Sequence, residues 1–379
     1  MALTQEALYR ELDLDLDLSW SERDLPERER TKHVHRLHPY LGKFIPQLVE
    51  VLLERYFRPG QQVLDPFAGS GTTLVQALES GLDATGVDIA AFNCLLMEVK
   101  TRRHDLFSLE KEIRGACAAL DVFAPDAAGE PAAASPYLRE WYAPQALAEL
   151  LFFRDVVDDA RHRDLLRVVL ARAARSARRA AHFDLDFPRR PQLEPYWCFK
   201  HRRTCRPVER ARHFLHRYAL DTLARIKEFQ RLRVRGRSAT VVHGDARRER
   251  LQGPFDGILT SPPYPGLIDY HEQHRYAYEL LGLDDLRPLE LGPASRGTSA
   301  AALREYCDGI VEALANVAER LRPAAPVVIV VNDRRDLYPA ILERSGLVLE
   351  ERYRRHVNRR TGRRAGEFFE DVLVARRRR

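Results

Sequence analysis

The sequence predicts an α/β fold: a mostly parallel sheet with an antiparallel C-terminal strand, broken by a helical insertion. Three features lead there. Short apolar strands alternate with amphipathic helices over residues 38–100, a basic and mostly helix-patterned stretch fills 101–237, and strand-like runs return over 238–379. Residues 1–37 form a polar lead, whose LDLDLDL alternation is either a short edge strand or a linker.

Residues 46–57 (PQLVEVLLERYF) place apolar side chains at helical spacing and stop at Arg58-Pro59-Gly60. A short strand at 62–67 (QVLDPF) runs into a Gly-rich bend and a helix over 72–79, closed by Ser80-Gly81. A second strand at 84–89 (ATGVDI) and a helix at 90–100 follow, and strand-helix-strand-helix implies parallel pairing through crossovers. Within the insertion, 147–157, 165–179 and 210–232 have helical periodicity, with a Pro-rich break at 188–195. Strands resume at 239–243, 255–260 and 325–331, then as a final pair near 347–356 and 368–375. There is no internal repeat, and low complexity is confined to the Ala/Pro stretch at 124–136 and the terminal arginines at 376–379.

With 379 residues, 45% of them hydrophobic, the chain can bury a sizeable core. The N-terminal residues are acidic where a secretory leader would be basic and then apolar, and no apolar run approaches the roughly 18 to 20 residues of a membrane span. A cytoplasmic location without membrane contact is the expectation. Five scattered cysteines (Cys94, Cys117, Cys198, Cys205, Cys307) agree with a reducing compartment. The net charge is +6, yet residues 151–237 hold 23 Lys+Arg against 10 Asp+Glu, or +13, leaving −7 for the remainder. So local a positive field is the footprint of a polyanion partner, with a merely solvated set of Arg-rich helices as the alternative.

DPFAGSGTT, residues 65–73, lies between a strand and a helix, where an open parallel sheet binds nucleotide-like ligands. It lacks the Gly-Lys-Ser/Thr of a phosphate loop and the third glycine of the dinucleotide fingerprint. Gly69 and Gly71 let backbone approach a ligand, Asp65 offers a negative charge suited to an ammonium or sulfonium, and Asp88 ends the second strand where a carboxylate takes a ribose diol. A ribose, a positive centre and no phosphate describe S-adenosylmethionine.

The strand at 255–260 ends on Ser261-Pro262-Pro263-Tyr264. Together, DPFAGSGTT and TSPPY resemble the DNA amino-methyltransferases, which methylate cytosine N4 or adenine N6. The resemblance spans 38–100 and 239–375 but not the insertion, and it implies a Rossmann-like class I methyltransferase sheet with S-adenosylmethionine as cofactor. In that family the first motif wraps the methionine part of the cofactor, implying contacts from Phe67 and Thr72, and the second holds the target base. An exocyclic amino group is conjugated with its ring, so acceptors must draw on its hydrogens. The Ser261 hydroxyl and Pro262 carbonyl are placed to do so, the prolines fix the turn, and Tyr264 offers a face to a base flipped from the duplex.

HPYLGKFIP (38–46) resembles the element that closes over the methionine end, which implies contacts from Lys43 and Phe44. Gly244-Asp245-Ala246 resembles the motif at the cofactor's adenine, with Asp245 bonding its amino group; an ordinary strand-end turn is the alternative. The basic insertion resembles the family's target-recognition region, although it falls before the third strand rather than after it. Arg202, Arg203, Arg206 and Arg210 are the expected phosphate contacts.

Serine in the first position of the Pro-Pro-Tyr turn points to cytosine N4. Attack at cytosine C5 is set aside, because it needs a thiolate, normally in a Pro-Cys pair, and no cysteine here follows a proline. Cys198, His201 and Cys205, with His213 and His216 downstream, fit no standard zinc spacing, and methyl transfer needs no metal, so none is expected. His271 and His274 are expected to line the mouth of the site or begin a helix. The sequence thus reads as a site-specific cytosine-N4 methyltransferase of duplex DNA, partnered by a restriction endonuclease or serving phage defence. Adenine N6, an RNA base, and a non-catalytic DNA-binding protein of the same fold remain open.

Overall fold

The computed structural model describes residues 18–20, 24–42, 44–124, 134–357 and 368–378. Its strands are β1 (Gln62–Asp65), β2 (Asp83–Asp88), β3 (Tyr196–Cys198), β4 (Arg203–Cys205), β5 (Ala239–His243), β6 (Gly257–Thr260), β7 (Pro326–Val331), β8 (Leu347–His356) and β9 (Phe369–Arg377). Seven of them make one sheet in the order β5-β2-β1-β6-β7-β9-β8, while β3 and β4 form a separate hairpin. β5, β2, β1, β6 and β7 are mutually parallel, and β9 runs antiparallel to both β7 and β8.

Residues 326–331 (PVVIVV) are buried throughout, as expected of a parallel strand covered on both faces. The two-residue pleat sends Val327 and Ile329 towards helices 300–318 and 338–344, and Val328 and Val330 towards helices 46–56 and 72–79. Each such side chain contributes roughly 1.5 to 3 kcal/mol by leaving water.

The helices used below are α1 (Pro46–Tyr56), α2 (Thr72–Glu79), α3 (Ala91–Thr101), α4 (Leu106–Val122), α5 (Pro136–Trp141), α6 (Pro144–Val157), α7 (Arg163–Ala177) and α8 (Arg212–Leu232). Pro46 opens α1 at a position where its missing N–H costs nothing, and the Asp105 carboxylate caps α4 by accepting from the N–H groups of Phe107 and Ser108. α6, α7 and α8 follow the predicted periodicity, whereas α4, α5 and the hairpin were not singled out in the sequence.

The insertion is not a detached lobe. Leu150, Val169 and Leu223 pack in one core with Phe92, Leu96 and Val99 of α3. Much of its charge is spent internally: Arg172 pairs with Asp221 at 2.6 Å, Arg167 with Asp158 at 2.7 Å, and Arg175 with Asp186. Of the LDLDLDL stretch only Leu18 falls among the described residues, buried beside α1. No helix among the described residues is long and apolar enough to cross a membrane.

Candidate active site

The carboxyl ends of β1, β2, β5 and β6 meet around one cavity, the arrangement expected of an open parallel sheet. The loop after β1 lends Phe67, Gly69 and Thr72 to its wall, β2 ends in it with Asp88, Asp245 enters after β5, and Ser261 and Pro263 after β6. Tyr40 and Phe44 come from the segment before α1. Lys43, expected beside Phe44, lies outside the described residues.

Gly69 has a φ of 51°, and its N–H donates to Asp88 Oδ2 at 2.9 Å. A Cβ there would come 3.1 Å from the Tyr40 hydroxyl, so the glycine keeps this side of the cavity open. Gly71 serves another purpose than the expected ligand contact. It is absent from the wall, starts α2 with a φ of 80°, and leaves no room for a Cβ, which would fall 2.8 Å from Met97 Cγ.

Asp88 accepts from the Gly69 N–H, from the Ala90 N–H at 2.8 Å and from Asn93 Nδ2 at 3.1 Å; burial raises its carboxyl to about 6. Asp65 departs from the expectation that it faces the ligand. Fully buried and not part of the wall, it accepts from Thr73 and Thr260 hydroxyls, each at 2.6 Å, and from the Phe67 N–H at 3.1 Å. Burial raises it too, to about 6, against those hydrogen bonds. The strand-end carboxylate therefore ties β1 to β6 and α2, and so fixes the two motif loops relative to each other.

Asp245 lies in the wall but is already engaged, accepting from Arg247 Nε at 2.9 Å and Nη2 at 2.7 Å. Burial, which raises its carboxyl, is outweighed by that guanidinium, which holds it below the usual range. In the Pro-Pro-Tyr turn, Pro262 is buried and, like Tyr264, does not line this cavity. The Tyr264 hydroxyl donates to Glu370 Oε1 at 2.9 Å, and Glu370 in turn accepts from Arg355 at 2.6 Å. The ring is thereby held at its far end.

Several wall residues escaped the sequence reading because no spacing marks them. Tyr40 stacks with Tyr270 at 5.8 Å and accepts a hydrogen bond from Asn93 at 3.1 Å. His271, expected to line the mouth or begin a helix, lies in the short helix Tyr270–Gln273, fully buried in the wall and bonded through Nδ1 to Glu290. His274 sits behind it, where burial lowers its ring to about 3 and keeps it neutral.

The wall fits the cofactor. Asp88, Asp245 and Glu290 are acidic, and among the described residues the wall has no Lys or Arg, which suits a cationic ligand and not a phosphate. Four buried polar atoms, Ser70 Oγ, Asn93 Oδ1, His271 Nε2 and Glu290 Oε2, find no hydrogen-bond partner among the described residues, and all belong to wall residues. Among the described residues, none of the wall comes from 101–237. Arg202, Arg203, Arg206 and Arg210 are instead exposed on or just after the hairpin, and none makes an ion pair among the described residues.

The strand order, the Gly-rich loop and the acidic cavity at the strand ends define a Rossmann-like, S-adenosylmethionine-dependent methyltransferase. A family model described as DNA methylase matches residues 7–98. The chain is 35% identical to the Type II methyltransferase M.MjaII of Methanocaldococcus jannaschii, over 97% of this chain and 84% of that protein. It is 22% identical to the Type II methyltransferase M.BsoBI of Geobacillus stearothermophilus, over 71% of this chain and 56% of the relative. The chain belongs to the S-adenosylmethionine-dependent DNA methyltransferases of the N4-cytosine/N6-adenine family.

Proposed function

We propose that the protein methylates N4 of cytosine within a specific duplex DNA sequence, the target base being rotated out of the helix. One observation carries the reading: Gly69 of the cofactor loop and Ser261 of the Pro-Pro-Tyr turn open into the same cavity. S-adenosylmethionine, when bound, supplies a methyl group on a positively charged sulfur.

The residues then divide the work. Asp88 takes the ribose hydroxyls, while Phe44, Phe67 and Thr72 enclose the remainder of the cofactor. Asp245, with Arg247 on its carboxylate, borders the adenine. The Ser261 hydroxyl, which lines the cavity, accepts a hydrogen from the amino nitrogen and frees its lone pair for attack; the Pro262 carbonyl, outside the cavity wall, takes the second hydrogen only when the seated base draws the turn towards it. Tyr264, anchored through Glu370, offers the base a fixed face. As the new N–C bond forms, the sulfur–methyl bond breaks and the sulfur is left as a neutral thioether; the product nitrogen is then a strong acid and its proton passes to water.

Serine at the head of the turn favours cytosine over adenine by resemblance to the family. Arg202, Arg203, Arg206 and Arg210 grip phosphate, and their freedom from ion pairs supports that role. The likeness to Type II methyltransferases suggests a cognate restriction endonuclease as partner and a cytoplasmic setting. Expression in a host lacking DNA methylation, followed by nucleoside mass spectrometry, tests the assignment: N4-methylcytosine is expected. N6-methyladenine instead would overturn the choice of base, and unmodified DNA would overturn the activity.

A further inference from the structure

The β3–β4 hairpin has no core of its own. Its strands are three residues long, and Trp197 and Phe199 project from it 54% and 73% exposed. So small a hairpin is marginal in water without a further tie. Yet its two cysteines are buried, Cys198 fully and Cys205 at 7% exposure, and both are free thiols.

Two imidazoles meet those thiols. His201 comes from the turn of the hairpin and His182 from the loop after α7, and the ligand-capable atoms of His182, Cys198, His201 and Cys205 all lie within 4.8 Å of one another. Cys198 Sγ is 3.6 Å from His201 Nδ1 and 3.8 Å from His182 Nδ1, and Cys205 Sγ is 3.5 Å from His201 Nδ1. With Zn–S near 2.3 Å and Zn–N near 2.0 Å, the corners of a tetrahedral zinc shell stand about 3.3 to 3.8 Å apart. The three sulfur–nitrogen separations, 3.5 to 3.8 Å, fall in that range, and the 4.8 Å bound on the whole set leaves only a small contraction for the ion to impose.

We propose that His182, Cys198, His201 and Cys205 bind one divalent ion of the zinc class in a closed Cys2His2 shell. The inference does not depend on methyl transfer. Binding releases both thiol protons to solvent and leaves two thiolates, two neutral imidazoles and a doubly charged ion, a neutral set.

Second-sphere contacts fit as well. The Tyr196 hydroxyl lies 2.9 Å from His182 Nδ1 and also accepts from the His182 N–H at 3.0 Å, so it stays anchored when the ring nitrogen turns to the ion. Arg202 holds a left-handed φ of 51° in the turn, a constrained conformation next to His201. His213 and His216, nearer in sequence to Cys205 than His182 is, are elsewhere: His216 pairs with Asp121 at 2.9 Å, and His213 stacks on Phe214. The ion would pin the hairpin to the end of α7 and close the Pro-rich segment between them into a loop.

The test uses the full chain purified without chelator. Elemental analysis should find about one zinc per molecule. Replacement by cobalt(II) should give thiolate-to-cobalt charge-transfer bands in the near ultraviolet and tetrahedral bands in the visible. Cys205→Ser should lower the charge-transfer bands and the pair Cys198→Ser with Cys205→Ser abolish them, and His182→Ala should weaken the tetrahedral bands, while His216→Ala leaves both sets unchanged. S-adenosylmethionine affinity, unchanged in all of these variants, checks that each is folded. Wild-type protein that carries no metal and gives no cobalt spectrum overturns the site, as does a His182→Ala spectrum identical to wild type.

Discussion

The cavity at the strand ends and the hairpin at β3–β4 hold their polar groups by opposite means. Around the cavity, Asp65 and Asp88 are each locked by three donors from strand ends, loop backbone and neighbouring helices. On the hairpin, two buried thiols and two imidazoles converge between strands only three residues long. A sheet can preorganise a site through its own hydrogen-bond ladder, whereas a two-stranded appendage must borrow its rigidity from elsewhere.

That contrast predicts separable damage. Ser261→Ala should lower turnover about 100-fold, by analogy with removal of one preorganised polar group, while cofactor affinity by calorimetry stays within error. Tyr264→Ala should cost about 10- to 100-fold by loss of base stacking, again sparing the cofactor. A matching fall in cofactor affinity would place the turn in the cofactor wall instead. On the hairpin, R202E with R203E should weaken binding to every DNA sequence alike and flatten the log-log salt slope by about 2. A loss confined to one sequence would mean that these arginines read bases.

Smaller effects sharpen the difference. Thr73→Val removes one of the two hydroxyl donors to buried Asp65 and should cost about 1 to 3 kcal/mol in urea unfolding, with hairpin metal content unaffected. The pH dependence has a definite sign. Burial raises the Asp65 and Asp88 carboxyls from an ordinary 3.8 to about 6, so the folded state holds their protons more tightly. The stability this gives is fully present below about pH 4 and lost as pH rises through about 6. Affinity for the cationic cofactor should run the other way, rising through the same window as Asp88 ionises, and Asp88→Asn should erase its share of that rise. The smallest change is expected from His216→Ala, within about 0.5 kcal/mol, because its exposed pair with Asp121 contributes little.

What the sequence made legible followed backbone periodicity. Strands 62–65, 83–88, 239–243, 257–260 and 326–331 lie where apolar runs meet turn residues, and Gly69 faces the cavity as its motif implied. Side-chain direction was less accessible. Asp65 and Gly71 sit in the same motif yet stay out of the cavity wall, because a strand-end residue alternates between the two faces and Met97 of α3 packs against Gly71. Tyr40, Asn93, Tyr270 and Glu290 come from separate loops and helices with no common spacing. His182 was hidden for the same reason: a Pro-rich run separates it from Cys198, and only the fold of that run brings the two together.

No described residue between 101 and 237 reaches the cavity, yet Gly69 precedes that stretch and Ser261 follows it. During synthesis the ribosome therefore delivers the first half of the cleft long before the second exists, and nascent chains pass through a stage that presents the glycine loop without its counterpart. A polypeptide cleaved inside the stretch would yield two pieces, each carrying one half of the reaction chamber. Methylation of DNA would then report their reunion, making the protein a natural starting point for a split reporter.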